Sequence, residues 1–309
     1  MKLIDLHCDT ITMLAHRNAH LRENDMHIDL MKLKKADQLA QCFAIFVHQK
    51  WCEKSGVSPY DYYKQNVEVF RREMRENADL IAAAFDSREI LANDAKGLMS
   101  GILTIEAGEP LEGKPERVQE FKKDGVRMIT LTWNFENEIG FPNTMGGHLK
   151  PVGREIVDTM NQLGVLMDVS HLSDEGFWDC IELSGGKTPV VASHSDARAL
   201  CAHSRNLTDE MLRALGNTGG LVGINYCAGF LREGADDTTM EDVLRHTLHL
   251  IDKAGVEHVA FGSDYDGIGS NLEWGDASGT PRLLEYLHQK ISWEDLEKIT
   301  HKNALRVFS

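Results

Sequence analysis

Eight apolar runs of strand length, separated by stretches with helical spacing, restrict the folds open to this chain more than any other feature. They are Leu3–Cys8, Cys42–Val47, Gly101–Ile105, Val126–Thr132, Val165–Ser170, Val190–Ser193, Leu221–Asn225 and His258–Ser263. Near-continuous apolar runs are what parallel strands need when helices cover the sheet from outside. Tyr60–Ala84 is the longest amphipathic stretch, with Val67, Phe70, Met74 and Leu80 at helical spacing, and it predicts one long helix. Helix starts are announced by Ser173-Asp174-Glu175, Thr208-Asp209-Glu210 and Ser292-Trp293-Glu294-Asp295. Thr239–Ala254 and Pro281–Lys290 complete the set. No linker, composition break or low-complexity tract interrupts the alternation. The pattern therefore predicts one α/β domain over residues 1–309, a (β/α)8 TIM barrel. A doubly wound sheet competes, but it would more often carry a Gly-rich phosphate turn after its first strand, where this chain has His7-Cys8-Asp9-Thr10.

Bulk properties narrow the partners. The formal net charge of −15 argues against nucleic acid or an anionic membrane surface. No run reaches the roughly 18 apolar residues of a membrane span. The chain enters a charged strand within a few residues of Met1, so no signal peptide is expected. Its 6 cysteines lack CxxC spacing and read as free thiols in a reducing compartment, with the cytoplasm as the expected location.

The chemistry sits at strand ends, which form the reactive face of a TIM barrel. Strand one ends in His7-Cys8-Asp9, strand three at Glu106, strand five at His171, strand six at His194 and strand eight at Asp264. Strand alternation puts Asp5, His7 and Asp9 on one face and turns Cys8 away, so Cys8 reads as structural. One His or Asp after a strand is ordinarily a turn residue or a helix cap. Three imidazoles and three carboxylates at the ends of five strands are not explained that way. They are too many for one tetrahedral catalytic zinc. They suit two divalent ions, about 3.5–4 Å apart, sharing a bridging carboxylate and a bridging hydroxide. Glu106 is long enough to offer one oxygen to each ion. Asp5, one layer below His7, either orients a ligand or is hydrogen-bonded within the barrel; the former is the expectation.

The ordered set Asp5-Leu6-His7-Cys8-Asp9, Ile105-Glu106-Ala107-Gly108, Asp168-Val169-Ser170-His171, Ser193-His194-Ser195, Ser204-Arg205-Asn206, Gly262-Ser263-Asp264-Tyr265-Asp266-Gly267 and Asn303-Ala304-Leu305-Arg306-Val307-Phe308 resembles the membrane (renal) dipeptidase family. These are dinuclear zinc peptidases of the amidohydrolase superfamily. The resemblance implies hydrolysis of the peptide bond of dipeptides. It implies that His7, Asp9 and Glu106 hold one metal, and Glu106, His171 and His194 the other. Asp264 would lie by the first metal and move the proton of the bridging water, and Arg205 would bind substrate or the developing oxyanion. Zinc is the expected ion, although such ligands also suit manganese or cobalt. Family precedent implies a homodimer.

One segment departs from the family. Where its mammalian members read Leu-Thr-His-Asn, with a substrate-binding histidine, this chain reads Leu131-Thr132-Trp133-Asn134. Trp133 is expected to line the pocket, with Asn134 or His148 as substitute donors. His203 and His258 read as structural. Without the secretion signal and lipid-anchor tail of the animal enzymes, the chain looks like a soluble microbial version. Two other functions fit the metal ligands: an amidohydrolase acting on N-acyl amino acids or lactams, and a non-catalytic metal-binding barrel. Asp264 argues against the latter, which needs no proton acceptor.

Overall fold

The computed structural model describes residues 1–186 and 188–309. Eight parallel strands close on themselves: β1 (Leu3–Asp5), β2 (Gln38–Phe46), β3 (Met99–Glu106), β4 (Val126–Thr130), β5 (Leu166–Asp168), β6 (Val190–Ala192), β7 (Leu221–Ile224) and β8 (Val259–Phe261). Each pairs with its neighbours in sequence. The ring closes where Asp5 of β1 meets Phe261 of β8. The longest register, between β2 and β3, runs from Ala40 opposite Ser100 to Phe46 opposite Glu106. The expected (β/α)8 barrel is therefore the fold, with helices outside the ring.

Local chemistry fixes the helices. Ser173, Thr208 and Ser292 each accept a backbone N–H in the first turn of Asp174–Ser184, Asp209–Asn217 and Trp293–Glu297. Thr239 and Asp242 form a reciprocal capping box at the start of Met240–Ala254. The expected helix at Pro281–Lys290 spans Thr280–His288. One cluster of buried side chains packs strands against helices. A second includes Ile4, Cys42, Ile102, Met128, Leu166, Val191, Leu221 and Ala260, and is closed by Val307 and Phe308 from the last helix. A side chain buried like Phe308 contributes roughly 1.5–3 kcal/mol relative to an exposed one. The barrel is thus packed at one end and open to chemistry at the other.

The long helix expected over Tyr60–Ala84 is shorter, and the difference has a tertiary cause. It spans Pro59–Glu76, and Asn77 ends it by donating Nδ2 to the Glu73 carbonyl at 2.9 Å. Ile81–Ala83 then forms a ninth strand on Met99–Gly101. β4 reaches only Leu103–Ile105 of β3, so the lower part of that edge is free to take it. Strand eight starts at Val259; His258 precedes it in a short helical turn, with Nδ1 3.0 Å from the Gly220 carbonyl. Cys8 is fully buried, with Sγ 3.3 Å from the Cys42 carbonyl. No helix among the described residues is long and apolar enough to cross a membrane.

After β3 the chain makes a single 3-10 turn, Glu109–Leu111, that buries a carboxylate. Glu109 is 4% exposed. Its Oε2 accepts from Asn137 Nδ2 at 3.2 Å and its Oε1 has no partner. Burial pushes its pKa from 4.5 to about 7, against the pull of the Asn137 hydrogen bond. The folded state therefore holds this proton more tightly than the unfolded chain. Its contribution is fully present below pH 4.5 and is lost as pH rises through about 7, an effect of roughly 3 kcal/mol. Glu109→Gln should thus gain on the wild type as pH rises. Urea unfolding midpoints at pH 5 and pH 8.5 measure this; an equal difference at both would refute the assignment.

Candidate active site

All six side chains expected at the mouth meet there. Glu106, the last residue of β3, divides its carboxylate between two groups. Oε2 lies 3.5 Å from His7 Nε2, and Oε1 lies 3.1 Å from His171 Nε2 and 3.5 Å from His194 Nε2. His7 Nε2 is also 3.8 Å from Asp9 Oδ2 and 3.9 Å from Asp264 Oδ1. His171 (φ 68°) and Asp264 (φ 60°) both leave their strands in the left-handed region. Non-glycine residues held there carry strain, of order 1–3 kcal/mol each, that the surrounding structure must sustain.

Hydrogen bonds decide the tautomers. His171 Nδ1 lies 3.1 Å from Asn134 Oδ1, an acceptor, so Nδ1 carries the proton. Ser193 Oγ donates to Asp168 Oδ2 at 2.5 Å, which leaves it to accept from His194 Nδ1 at 2.7 Å. Both Nε2 atoms are then lone-pair acceptors, 3.1 Å apart, facing a carboxylate oxygen. On the other side, His7 Nε2 and Asp9 Oδ1 are buried without a hydrogen-bond partner. Acceptors converging in a buried space repel unless a cation lies among them. The donor set therefore fits divalent metal ions.

Electrostatics follow the same division. Burial lowers all three imidazoles. At His171 and His194 it is reinforced by Arg205 and His7, whereas at His7 the carboxylates of Glu106 and Asp9 outweigh it and raise the pKa well above the ordinary value. Glu106 is driven up by burial and by the charge of Asp9, against the pull of His7. Asp264 is driven up by burial, with His7 opposing.

The remaining expectations sort as follows. Trp133 and Asn134 line a cavity of about 440 Å³ that also includes Asp9, Glu106, His171 and Asp264. Arg205, 3% exposed, lies behind this wall, donating to Ser195 Oγ and to the His194 carbonyl, both at 2.7 Å. His148 is paired with Asp179 at 3.2 Å and does not line the cavity. His203 Nδ1 accepts from the Arg205 backbone at 3.1 Å. Asp5 touches no imidazole. It accepts from Ser263 N and Oγ (2.8 and 2.5 Å), Gln41 Nε2 (3.1 Å) and the His7 backbone (3.4 Å), so hydrogen bonding within the barrel is its place. Sequence reasoning passed over Asp168, Ser193 and Asn225, whose Nδ2 donates to Asp264 Oδ2 at 3.0 Å. It also passed over Phe46, His48, Trp51 and Tyr62 on the cavity wall.

A (β/α)8 barrel gathering three imidazoles and three carboxylates at the C-terminal ends of its strands defines a metal-dependent hydrolase of the amidohydrolase type. Comparison with known proteins narrows the class. The chain belongs to the membrane dipeptidase family, peptidase family M19, which matches residues 1–309, and it is a metal-dependent dipeptidase. It is 34% identical over 263 residues to an uncharacterized protein in the pqqA 5′ region of Klebsiella pneumoniae, covering 81% of this chain and 96% of that one. It is 30% identical over 335 residues to an uncharacterized dipeptidase of Schizosaccharomyces pombe, covering 99% and 80%. A metallopeptidase of Rhodobacter sphaeroides, solved with a phosphinate mimic of the dipeptide L-Ala-D-Ala, superposes with a TM-score of 0.92 at 26% identity, covering 100% of this chain and 98% of that one.

Gly267 gives the site a direct test. A Cβ there would overlap Asp9 Oδ2 and crowd Asp264 Oδ1. Gly267→Ala is expected to push these carboxylates out of position and weaken metal binding by about 10–100-fold, read by competition with a chromogenic chelator while circular dichroism confirms the fold. Unchanged affinity would mean that Asp9 does not hold the ion.

Proposed function

We propose that residues 1–309 work as one metallohydrolase domain that cleaves dipeptides with two divalent ions, zinc by family expectation. His7, Asp9 and Glu106 would hold one ion, and Glu106, His171 and His194 the other. When bound, such ions would supply Lewis acidity that activates water and polarises the scissile carbonyl. Asp264, whose Oδ2 accepts from Asn225, would take the proton of the attacking water at Oδ1 and pass it to the leaving amine. Asn134 and Ser193 keep the two imidazoles in the tautomer that presents Nε2. Arg205 places a positive charge behind His194 and, from outside the cavity lining, favours the developing oxyanion electrostatically. The observation that carries this reading is the meeting of two unprotonated ring nitrogens with one oxygen of Glu106. The free cysteines support a reducing, cytoplasmic setting, family precedent supports a homodimer, and the net charge of −15 argues against a nucleic-acid or anionic-membrane partner.

The test is a panel of dipeptides and N-acyl amino acids, assayed after chelation and after add-back of zinc, manganese or cobalt. Chelation should abolish dipeptide cleavage and add-back restore it. Asp264→Asn should lower kcat by about 10²–10⁴-fold with the metal content, measured by elemental analysis, little changed. Turnover of N-acyl amino acids alone would move the chain to another amidohydrolase activity, and full metal occupancy without turnover would make it a binding protein.

A further inference from the structure

The cavity has two unlike walls. One carries the ionisable groups of the metal centre; the other is built from rings. Trp133 stands at the centre of the second wall, its ring centroid 4.8 Å from Phe46, 5.1 Å from His48 and 5.5 Å from Phe135. It also approaches the metal-centre side, 6.3 Å from the His171 ring. Trp51 and Tyr62, 4.8 Å apart, extend the wall. The Tyr62 hydroxyl is engaged with His16 Nε2 at 2.9 Å, so Tyr62 offers its ring to the cavity more than its polar end.

Charge decides what such a wall accepts. No lysine or arginine among the described residues lines the cavity, so away from the candidate metal centre an acidic side chain meets no cationic side chain of either kind. The carboxylates that line it are Asp9, Glu106, Asp264 and Asp266. The first three belong to the candidate metal centre. Asp266 is occupied, with Oδ1 accepting from His27 N and Oδ2 from Thr10 Oγ1, both at 2.6 Å. A basic side chain therefore finds no carboxylate that is clear of both the candidate metal centre and the fold's own hydrogen bonds. What remains is an uncharged side chain large enough to cover the rings, because apolar surface and ring stacking are all this wall offers.

We infer that Trp133 is the specificity-determining residue of this site. With Phe46, His48, Trp51 and Tyr62 it forms a slot that selects dipeptides carrying one large apolar side chain, aromatic above all, and rejects acidic ones. The inference rests on the dipeptidase reading above and adds the substrate class to it.

The experiment measures kcat/KM of the zinc-loaded protein for Phe-Ala, Ala-Phe, Leu-Ala, Ala-Ala, Asp-Ala and Ala-Asp, and repeats the series with Trp133→Ala. It adds calorimetric binding of phenylalanine amide and alanine amide to both proteins after chelation. The better of the two Phe dipeptides should exceed Ala-Ala by about tenfold or more, and the Asp dipeptides should fall below Ala-Ala. Trp133→Ala should cut the Phe-to-Ala ratio at least about fivefold and remove the preference for phenylalanine amide. If circular dichroism shows that variant unfolded, Trp133→Leu, which keeps apolar bulk without the ring, carries the same comparison. Equal turnover of Ala-Ala and the Phe dipeptides, faster turnover of an Asp dipeptide, or a ratio indifferent to the substitution would overturn the slot and leave the dipeptidase reading standing. No cleavage of any dipeptide by protein shown to hold metal would overturn both.

Discussion

The two oxygens of Glu106 face different partners, and the rest of the molecule is arranged around that division. A carboxylate buried among three imidazoles and two further carboxylates is costly by itself, because like charges and facing lone pairs repel at short range in a medium that screens poorly. Such an arrangement persists only when each group is held by something stronger than the repulsion. The closed barrel provides this, since every strand is hydrogen-bonded along both edges to a neighbour that bears another part of the site. The left-handed conformations at His171 and Asp264 belong to the same account: strain is tolerated where the frame leaves the backbone no other course.

Two buried aspartates do most of the holding, in parallel ways. Asp5 at the end of β1 accepts from the backbone of His7 and from both the N–H and the hydroxyl of Ser263. Asp168 at the end of β5 accepts from the backbone of Ser170 and from both the N–H and the hydroxyl of Ser193. Each brace ties a strand end to the residue just before a candidate ligand, Asp264 in one case and His194 in the other. Ser193 also continues to the ring of His194, so Asp168 fixes a tautomer as well as a backbone. Asp5 lacks that second link: it accepts from no imidazole and reaches His7 only through the backbone N–H.

These relations explain what could be read in the sequence. The strands and the six side chains at the mouth were legible because apolar runs mark buried parallel strands and the candidate ligands fall at their ends. The helix over Tyr60–Ala84 was overextended, because Leu80 keeps helical spacing while Ile81–Ala83 answers to a free edge of β3 that no local pattern announces. Asp5 was misread for a related reason: strand alternation shows the face on which a carboxylate lies, but not that Ser263, 258 residues away, takes both of its oxygens. The braces at Asp168 and Ser193 and the support of Asp264 by Asn225 are contacts between different strands, and the ring wall draws on separate segments in the same way. Only the closed fold makes such sets neighbours.

The two walls of the cavity also divide the work of catalysis. Groups that act on the peptide bond meet an element every dipeptide shares, so they supply rate without distinguishing side chains. Discrimination must come from surfaces that touch what varies between substrates. Those surfaces lie on β2 and the helix that follows it, Gln49–Ser55, on Tyr62 of the long helix, and on the segment after β4 that carries Trp133 and Asn134. Trp133 and Asn134 are adjacent in the chain yet face different tasks, the indole on the ring wall and the amide oxygen on His171. That adjacency ties the wall that touches the varying side chain to the orientation of an imidazole at the metal centre. On the proposed reading, a change of ring at position 133 acts on recognition directly, and on the chemistry through its neighbour.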